Sequence, residues 1–247
     1  MNVLITGGSK GVGRAVSLRY SQPGATVFIN YHADERAAHE TAEMVSRRGA
    51  VAHLVKSDMG TLEGAQQVTD KVLTTTNRLD LLVHCAVDTS AGGAALEVDP
   101  VAFARAVQCN GSAMLVLAQG LLPVLGRGSS LIFVTSRGSQ AAVPGYIGVG
   151  APKALGEAIM MYLAVELAPR GVRANTVMGS AMDTDAIRSA LPAGEAELRL
   201  QRAADLNPSG RRIEIEELVD AIEFLACDKA AMIQGQRLIV DGGFYLR

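Results

Sequence analysis

The stretch Val3-Leu4-Ile5-Thr6-Gly7-Gly8-Ser9-Lys10-Gly11-Val12-Gly13 opens the chain and decides how the rest is read. Val3 to Ile5 is a short apolar run of the kind that forms a buried strand, and the glycines behind it predict a tight turn. Beyond the turn, Val16 and Tyr20 stand four residues apart, on one face of a helix. Strand, turn and helix start together make an anion site. Free N–H groups and the helix dipole point at a phosphate, and missing side chains let that phosphate reach the backbone. The spacing Gly7-x-x-x-Gly11-x-Gly13 departs from the G-x-G-x-x-G dinucleotide fingerprint, so the turn alone also suits an ordinary strand-to-helix connection.

Outward from this unit, apolar strand-like runs alternate with helical stretches almost to the end. Strands are expected near residues 26–30, 51–55, 79–84, 131–135, 172–177 and 237–240. Helices are expected over 34–48, 61–76, 101–125, 146–169 and 215–226, with two short ones within 183–205. This alternation predicts an α/β fold: a single doubly wound Rossmann domain over 1–247, with a mostly parallel seven-stranded sheet covered on both faces. Ligands of such folds sit beyond the carboxyl ends of the strands, so chemistry is sought there.

Composition narrows the classes. The 247 residues are 49% hydrophobic and 19% charged, enough for a substantial core. The net charge of −2, without a basic block, gives no reason to expect nucleic acid or a membrane surface as partner. No apolar run is expected to span a bilayer, and a first strand at residue 2 or 3 leaves no secretory leader expected. Cys85, Cys109 and Cys227 have neither metal nor disulfide spacing and read as small buried hydrophobes of a reducing compartment. No metal site and a cytoplasmic location are expected.

With Thr6 in front, the glycine turn resembles that of the short-chain dehydrogenases/reductases, and the resemblance extends over nearly the whole chain. Asn110 falls where that family keeps an Asn in its fourth helix, Ser136 where it keeps a Ser ending the fifth strand, and Lys153 at its Lys. Gln234-Gly235-Gln236 and Asp241-Gly242-Gly243 look like its C-terminal signature. The segment from Asn175 to Thr184 resembles the one that contacts nicotinamide, with Gly179-Ser180 where Pro-Gly is usual. The resemblance implies cofactor contacts from Gly7, Ser9, Lys10, Gly11, Val12 and Gly13 in the turn. It implies further contacts from Asn30, Tyr31 and His32 after the second strand, and from Asp58 and Met59 after the third. Cys85, Ala86, Lys153, Gly179 and Thr184 complete the implied set. Asp58 also suits the start of a helix.

An acidic residue closing the second strand would favour NAD. Here the strand ends Ile29-Asn30-Tyr31-His32, with no carboxylate until Asp34. Lys10 stands where it can face a 2′-phosphate, with Arg36 or His32 to assist, which points to NADPH. The same lysine and arginine also read as solvated surface charges.

The decisive departure precedes Lys153. Most of the family has Tyr-x-x-x-Lys, but position 149 is Val149, and the nearest tyrosine is Tyr146, a Tyr-x6-Lys spacing. Positions 146, 149 and 153 share one helical stripe, so Tyr146 faces the same cleft a turn earlier. A displaced phenol suits a proton target displaced from the hydride acceptor, as in an enoyl thioester. Enoyl-acyl-carrier-protein reductases have this spacing, and the C-terminal half is most similar to their NADPH-dependent type III. The resemblance implies that Tyr146 hydrogen-bonds or protonates the thioester oxygen. Lys153 then holds the nicotinamide ribose and lowers the phenol's pKa by its charge. Ser136 supports, and Asn110 shapes the helix and its water network. A tyrosine packing on the sheet at a helix start is the plainer reading of Tyr146.

Departures suggest a specialised substrate rather than housekeeping fatty-acid synthesis, and the resemblance to enoyl reductases implies a place in fatty-acid or polyketide biosynthesis. Pro152 precedes Lys153, Ala142 stands where the type III enzymes have a further tyrosine, and His84-Cys85-Ala86-Val87 replaces Asn-Asn-Ala-Gly. His84 is expected to cap its strand against the adenosine ribose. Residues 181–212 are expected to close over the substrate. Met182, Ile187, Leu191, Leu198 and Leu200 there either line an acyl pocket or pack as an ordinary amphipathic face. Arg188, Arg199, Arg202, Arg211 and Arg212 either meet an acyl carrier protein or CoA phosphate, or are solvated charges. The expected function is reduction of an acyl-thioester C=C bond by NADPH. A ketoreductase or alcohol dehydrogenase is the alternative, and a silent NADP-binding scaffold the third. By family analogy a homotetramer is expected through the fourth and fifth helices, the latter around 154–167.

Overall fold

In the computed structural model, which describes residues 1–189 and 194–246, β1 (Asn2–Thr6) is an interior strand of one seven-stranded sheet. Its neighbours are β2 (Thr26–Tyr31) and β4 (Leu81–His84), paired in parallel on either side. β3 (Val51–Lys56) extends one edge, and β5 (Ser130–Ser136), β6 (Arg173–Gly179) and β7 (Arg237–Val240) extend the other. The order β3-β2-β1-β4-β5-β6-β7 reverses between β1 and β4, and every pairing is parallel. The reversal opens a crevice at the carboxyl ends of β1 and β4.

Alternation along the strands sends residues to two buried faces. Leu4, Phe28, Leu82 and Phe133 belong to one core cluster, and Val3, Ile5, Val27, Leu81 and Ile132 to the other. Helices α1 (Gly11–Arg19), α2 (Glu35–Arg47) and α9 (Ile215–Ala226) cover the second face, and α3 (Leu62–Thr75) the first. Local chemistry sets their starts: Asp34 caps α2 through Ala37 N at 2.9 Å, and Thr61 caps α3 through Gly64 N at 3.0 Å.

The helix expected over 101–125 is shorter and interrupted. α4 (Pro100–Val107) passes into one π turn over Gln108–Ser112 before α5 (Ala113–Leu121). By length and apolarity Pro100–Leu121 would suffice to cross a membrane, contrary to the sequence expectation. The faces it buries against α3 and α6 (Ile147–Leu167) account for that apolarity. The two short helices are α7 (Asp185–Ser189) and α8 (Glu195–Leu206); Leu191 lies outside the described residues.

Candidate active site

The glycine turn is locked by close approach. Gly7 has φ +62°, where L side chains are strained, and a Cβ there would lie 2.9 Å from Ala86 Cα. A Cβ on Gly13 would stand 2.1 Å from the Gly7 carbonyl oxygen, so strand and helix meet only if residue 13 has no side chain. Asn30 fastens the turn to the sheet. Its Oδ1 accepts from Gly7 N at 3.3 Å, and its Nδ2 donates to the Val55 and Ser57 carbonyls at 3.2 and 3.0 Å. No side chain caps the start of α1, so its first N–H groups face the crevice.

The crevice is a cavity of about 1510 Å³ running from the turn, past β4 and β5, to α7 and α8. Of the residues expected to contact a cofactor, Gly7, Ser9, Lys10, Gly11, Val12, Gly13, Asn30, Tyr31, His32, Asp58, Met59, Cys85, Ala86, Lys153 and Thr184 line it. Gly179 does not: it ends β6 under Met182 and Leu218, and Ser180 lines the cavity in its stead. Ser136, Tyr146 and Lys153 line the far half, whereas Asn110 is fully buried behind the wall.

Several charges differ from expectation. Lys10 Nζ is already in an ion pair with Asp34 and lies 3.4 Å from Asp185, and the Asp34 carboxylate raises its pKa. Arg36 is an exposed partner of Glu40 and does not reach the cavity. Asp58 is clasped by Arg105 Nη1 and Nη2, at 2.6 and 3.0 Å, and Arg105 Nε stands 3.0 Å from Asp88. The sequence gives no sign of Arg105, because its two partners follow β3 and β4 and meet it only across the crevice.

His84 does not face a ribose. It is fully buried between Thr6 Oγ1, 2.8 Å from Nδ1, and the Cys109 carbonyl, 2.9 Å from Nε2. A carbonyl only accepts, so Nε2 carries the proton and Nδ1 accepts from the Thr6 hydroxyl. Burial pushes this imidazole down to about 3, with the Lys153 charge adding to the effect. The thiols of Cys85 and Cys109 are pushed up to about 12, chiefly by burial; Cys109 is buried, while Cys85 and Cys227 are only partly so.

Tyr146 is the residue that caps α6, and Val149 fills the buried position one turn on. Burial raises the phenol's pKa, while the neighbouring Ser136 hydroxyl and the Arg199 charge oppose the rise. Although close to that phenol, Ser136 Oγ is buried without a hydrogen bond of good geometry, an orphan donor aimed into the cavity. Lys153 lies 4.6 Å from the centre of the Phe133 ring and is pushed down to about 8 by burial. One turn past Lys153, Glu157 accepts from Thr135, Ser139, Gln140 and Arg237, which ties it to structure rather than proton transfer.

Asn110 explains how Pro152 is tolerated. Proline at 152 removes the N–H that would bond the Gly148 carbonyl four residues earlier. Asn110 Nδ2 donates to that carbonyl at 2.8 Å. It also donates to Asp88 O at 2.8 Å, and Asn110 Oδ1 accepts from Asp88 N at 2.7 Å. At the cavity mouth, Met182, Ile187 and Leu198 line the wall with Ala142 and Val87, but Leu200 is buried away from it. Arg188 and Arg211 are ion-paired with Asp183 and Glu217, Arg212 lies off the cavity, and Arg199 and Arg202 line it.

The fit to a nicotinamide dinucleotide is thus structural: an uncapped helix start over a side-chain-free turn at one end, and a buried orphan hydroxyl at the other. The family described as Enoyl-(Acyl carrier protein) reductase matches residues 7–245. The chain is similar to 1-cyclohexenylcarbonyl-CoA reductase of Streptomyces collinus, 33% identical over 240 residues, covering 97% of this chain and 85% of that one. Its fold matches the angucycline C-6 ketoreductase LanV solved with bound NADP, at 28% identity, a TM-score of 0.88 and coverage of 100% and 96%. It also matches LugOII, a promiscuous reductase described as catalysing keto-reduction at C1, at 28% identity, a TM-score of 0.87 and coverage of 100% and 98%. The chain therefore belongs to the short-chain dehydrogenase/reductase family and is an oxidoreductase with a site for a nicotinamide cofactor.

Proposed function

We propose that the protein reduces the C=C bond of an α,β-unsaturated acyl thioester, using NADPH. The observation that carries the reading is the phenol of Tyr146 at the head of α6, in a cavity where Val149 occupies the position one turn nearer Lys153. The cofactor, when bound, supplies hydride to the carbon β to the thioester. Tyr146 hydrogen-bonds the thioester oxygen and gives up its proton as negative charge develops there. Lys153 binds the nicotinamide ribose from its buried position on α6. Asn110 holds the first turn of α6, and through it the phenol, against the loop after β4. Met182, Ile187 and Leu198 shield the acyl chain from water. Preference for NADPH is supported by the absence of a carboxylate at the end of β2, where Asn30, Tyr31 and His32 line the cavity.

A second reading, ketoreduction, is favoured by the buried Ser136 hydroxyl beside the Tyr146 phenol. Two hydroxyls converging on one oxygen suit a ketone. The readings separate by turnover: NADPH oxidation with crotonyl-CoA supports the first, and oxidation with acetoacetyl-CoA alone supports the second. The exposed apolar face of α6, with Met161, Tyr162 and Val165, further supports a homotetramer.

A further inference from the structure

The charged side chains that line the cavity are not evenly matched. Around the glycine turn and the loops after β3 and β4, Asp185 lies against Lys10, and Asp58 and Asp88 share Arg105. Elsewhere on the wall stand Arg137 after β5, Lys153 on α6, and Arg199 and Arg202 on α8, against the single carboxylate of Glu195. Among the described residues none of these is in an ion pair. That part of the wall holds a surplus of positive charge.

Within that surplus Arg137 is set apart. Arg199 Nη2 is engaged by the Pro144 carbonyl at 2.7 Å, and Arg202 is exposed. The Arg137 guanidinium instead lies over the Phe244 ring, 4.8 Å from its centre, and both residues line the cavity. Its Nε is closed off from water and has no hydrogen-bond partner among the described residues. A solvated arginine keeps that N–H in water, and a structural one gives it a carbonyl or a carboxylate. A buried donor with neither costs stability and marks an acceptor that is missing.

The platform under the guanidinium is fixed. Asp241, just past β7, accepts from Gly243 N at 2.8 Å and Tyr245 N at 2.7 Å, and Asn207 Nδ2 donates to the Asp241 carbonyl at 2.8 Å. These bonds set the turn that carries Phe244. The chain on either side of Arg137 belongs to the chemistry. Ser136 lines the cavity before it, and Gly138 after it passes Tyr146 so closely that a Cβ would stand 2.7 Å from the ring Cδ1.

We propose that Arg137, stacked on Phe244, is a binding site for an anionic oxygen group of the substrate, either a carboxylate on the acyl chain or a phosphate of its carrier. The guanidinium is a planar fork of N–H donors that pairs with two oxygens of such a group, and the ring holds the plane of the fork. The inference deepens the reading of the substrate as an acyl thioester and rests on it. Arg137 then selects and orients the substrate beside Ser136 and Tyr146.

The test uses saturated thioesters, which cannot be reduced, and measures their binding by calorimetry to protein with and without NADPH. Butyryl-N-acetylcysteamine carries no charge, glutaryl-N-acetylcysteamine carries an acyl carboxylate, and butyryl-CoA carries only the phosphates of its carrier. The parent is expected to bind at least one charged ligand roughly tenfold or more tighter than the neutral one. Preference for the glutaryl ligand assigns the anion to the acyl chain, and preference for butyryl-CoA assigns it to the carrier. Arg137→Met removes most of the preference, Arg137→Lys keeps part of it, and Arg211→Met, which removes a charge outside the cavity, keeps it whole. Equal affinity for all three ligands in the parent, a preference untouched in Arg137→Met, or an equal loss in Arg211→Met overturns the proposal. Binding is read without turnover. A missing enoyl reductase activity therefore leaves an Arg137-dependent preference standing, and a missing preference leaves the enoyl reading standing.

Discussion

His84 shows how a residue's chemistry follows from its surroundings rather than its type. Its two ring nitrogens are both taken, by Thr6 and the Cys109 carbonyl, in a place no water reaches. Folded, it stays neutral; unfolded, it takes up a proton below its ordinary value of 6.5. The unfolded chain therefore binds more protons between about 6.5 and about 3, and stability falls as the pH drops through that window. The slope is at most about 1.4 kcal/mol per pH unit. Urea unfolding of the parent and of His84→Asn, compared at neutral and mildly acidic pH, is expected to give a smaller acid loss in the variant. Equal losses would contradict it. From the sequence alone, a histidine ending a strand beside a cofactor turn reads as a ligand contact. Its partners, Thr6 and Cys109, come from a strand and a π turn that only the sheet order brings together.

At the scale of the element, α6 carries a proline in its interior without losing its first turns. A mid-helix proline costs on the order of 3 kcal/mol when the freed carbonyl finds no donor. Here Asn110 donates to that carbonyl from a neighbouring helix. Asn110→Ala is expected to cost about 1–3 kcal/mol of stability, since it leaves Gly148 O and the Asp88 backbone short of partners. Pro152→Ala in that background returns part of the loss, because residue 152 regains an N–H. In the parent, Pro152→Ala gains much less. A double-mutant cycle by chemical denaturation measures the coupling, and strict additivity would contradict the account. The alternation of strands and helices was legible from hydrophobic period alone, and Tyr146 to Lys153 was legible on one stripe. The π turn was not; Gly111 within it passes the Pro152 carbonyl, where a Cβ would stand at 2.6 Å, a contact made only in the folded chain.

At the scale of the whole molecule, the sheet reversal concentrates the chemistry in one cavity. Nearly all of the expected cofactor residues line it because they follow strands, and strand ends could be read from the sequence. The residues missed, Arg105, Asp88 and Glu157, act through partners far apart in the chain, which a spacing rule does not reach. The apolar face of α6 also belongs at this scale. Val165 and Tyr162 are 75% and 72% exposed, large apolar surfaces for a helix in the middle of a fold. Val165→Glu is expected to shift a tetramer toward smaller species in light scattering, without change in the far-ultraviolet circular dichroism. An unchanged mass for the variant, with a tetrameric parent, would place the interface elsewhere.

The most direct test of the account follows loss of the reduced nicotinamide absorbance with crotonyl-CoA and acetoacetyl-CoA side by side, in the parent and in Tyr146→Phe. The account predicts turnover of the enoyl thioester, with kcat lowered about 100-fold or more in the variant. Turnover of acetoacetyl-CoA alone, or an undiminished enoyl rate in Tyr146→Phe, would contradict it.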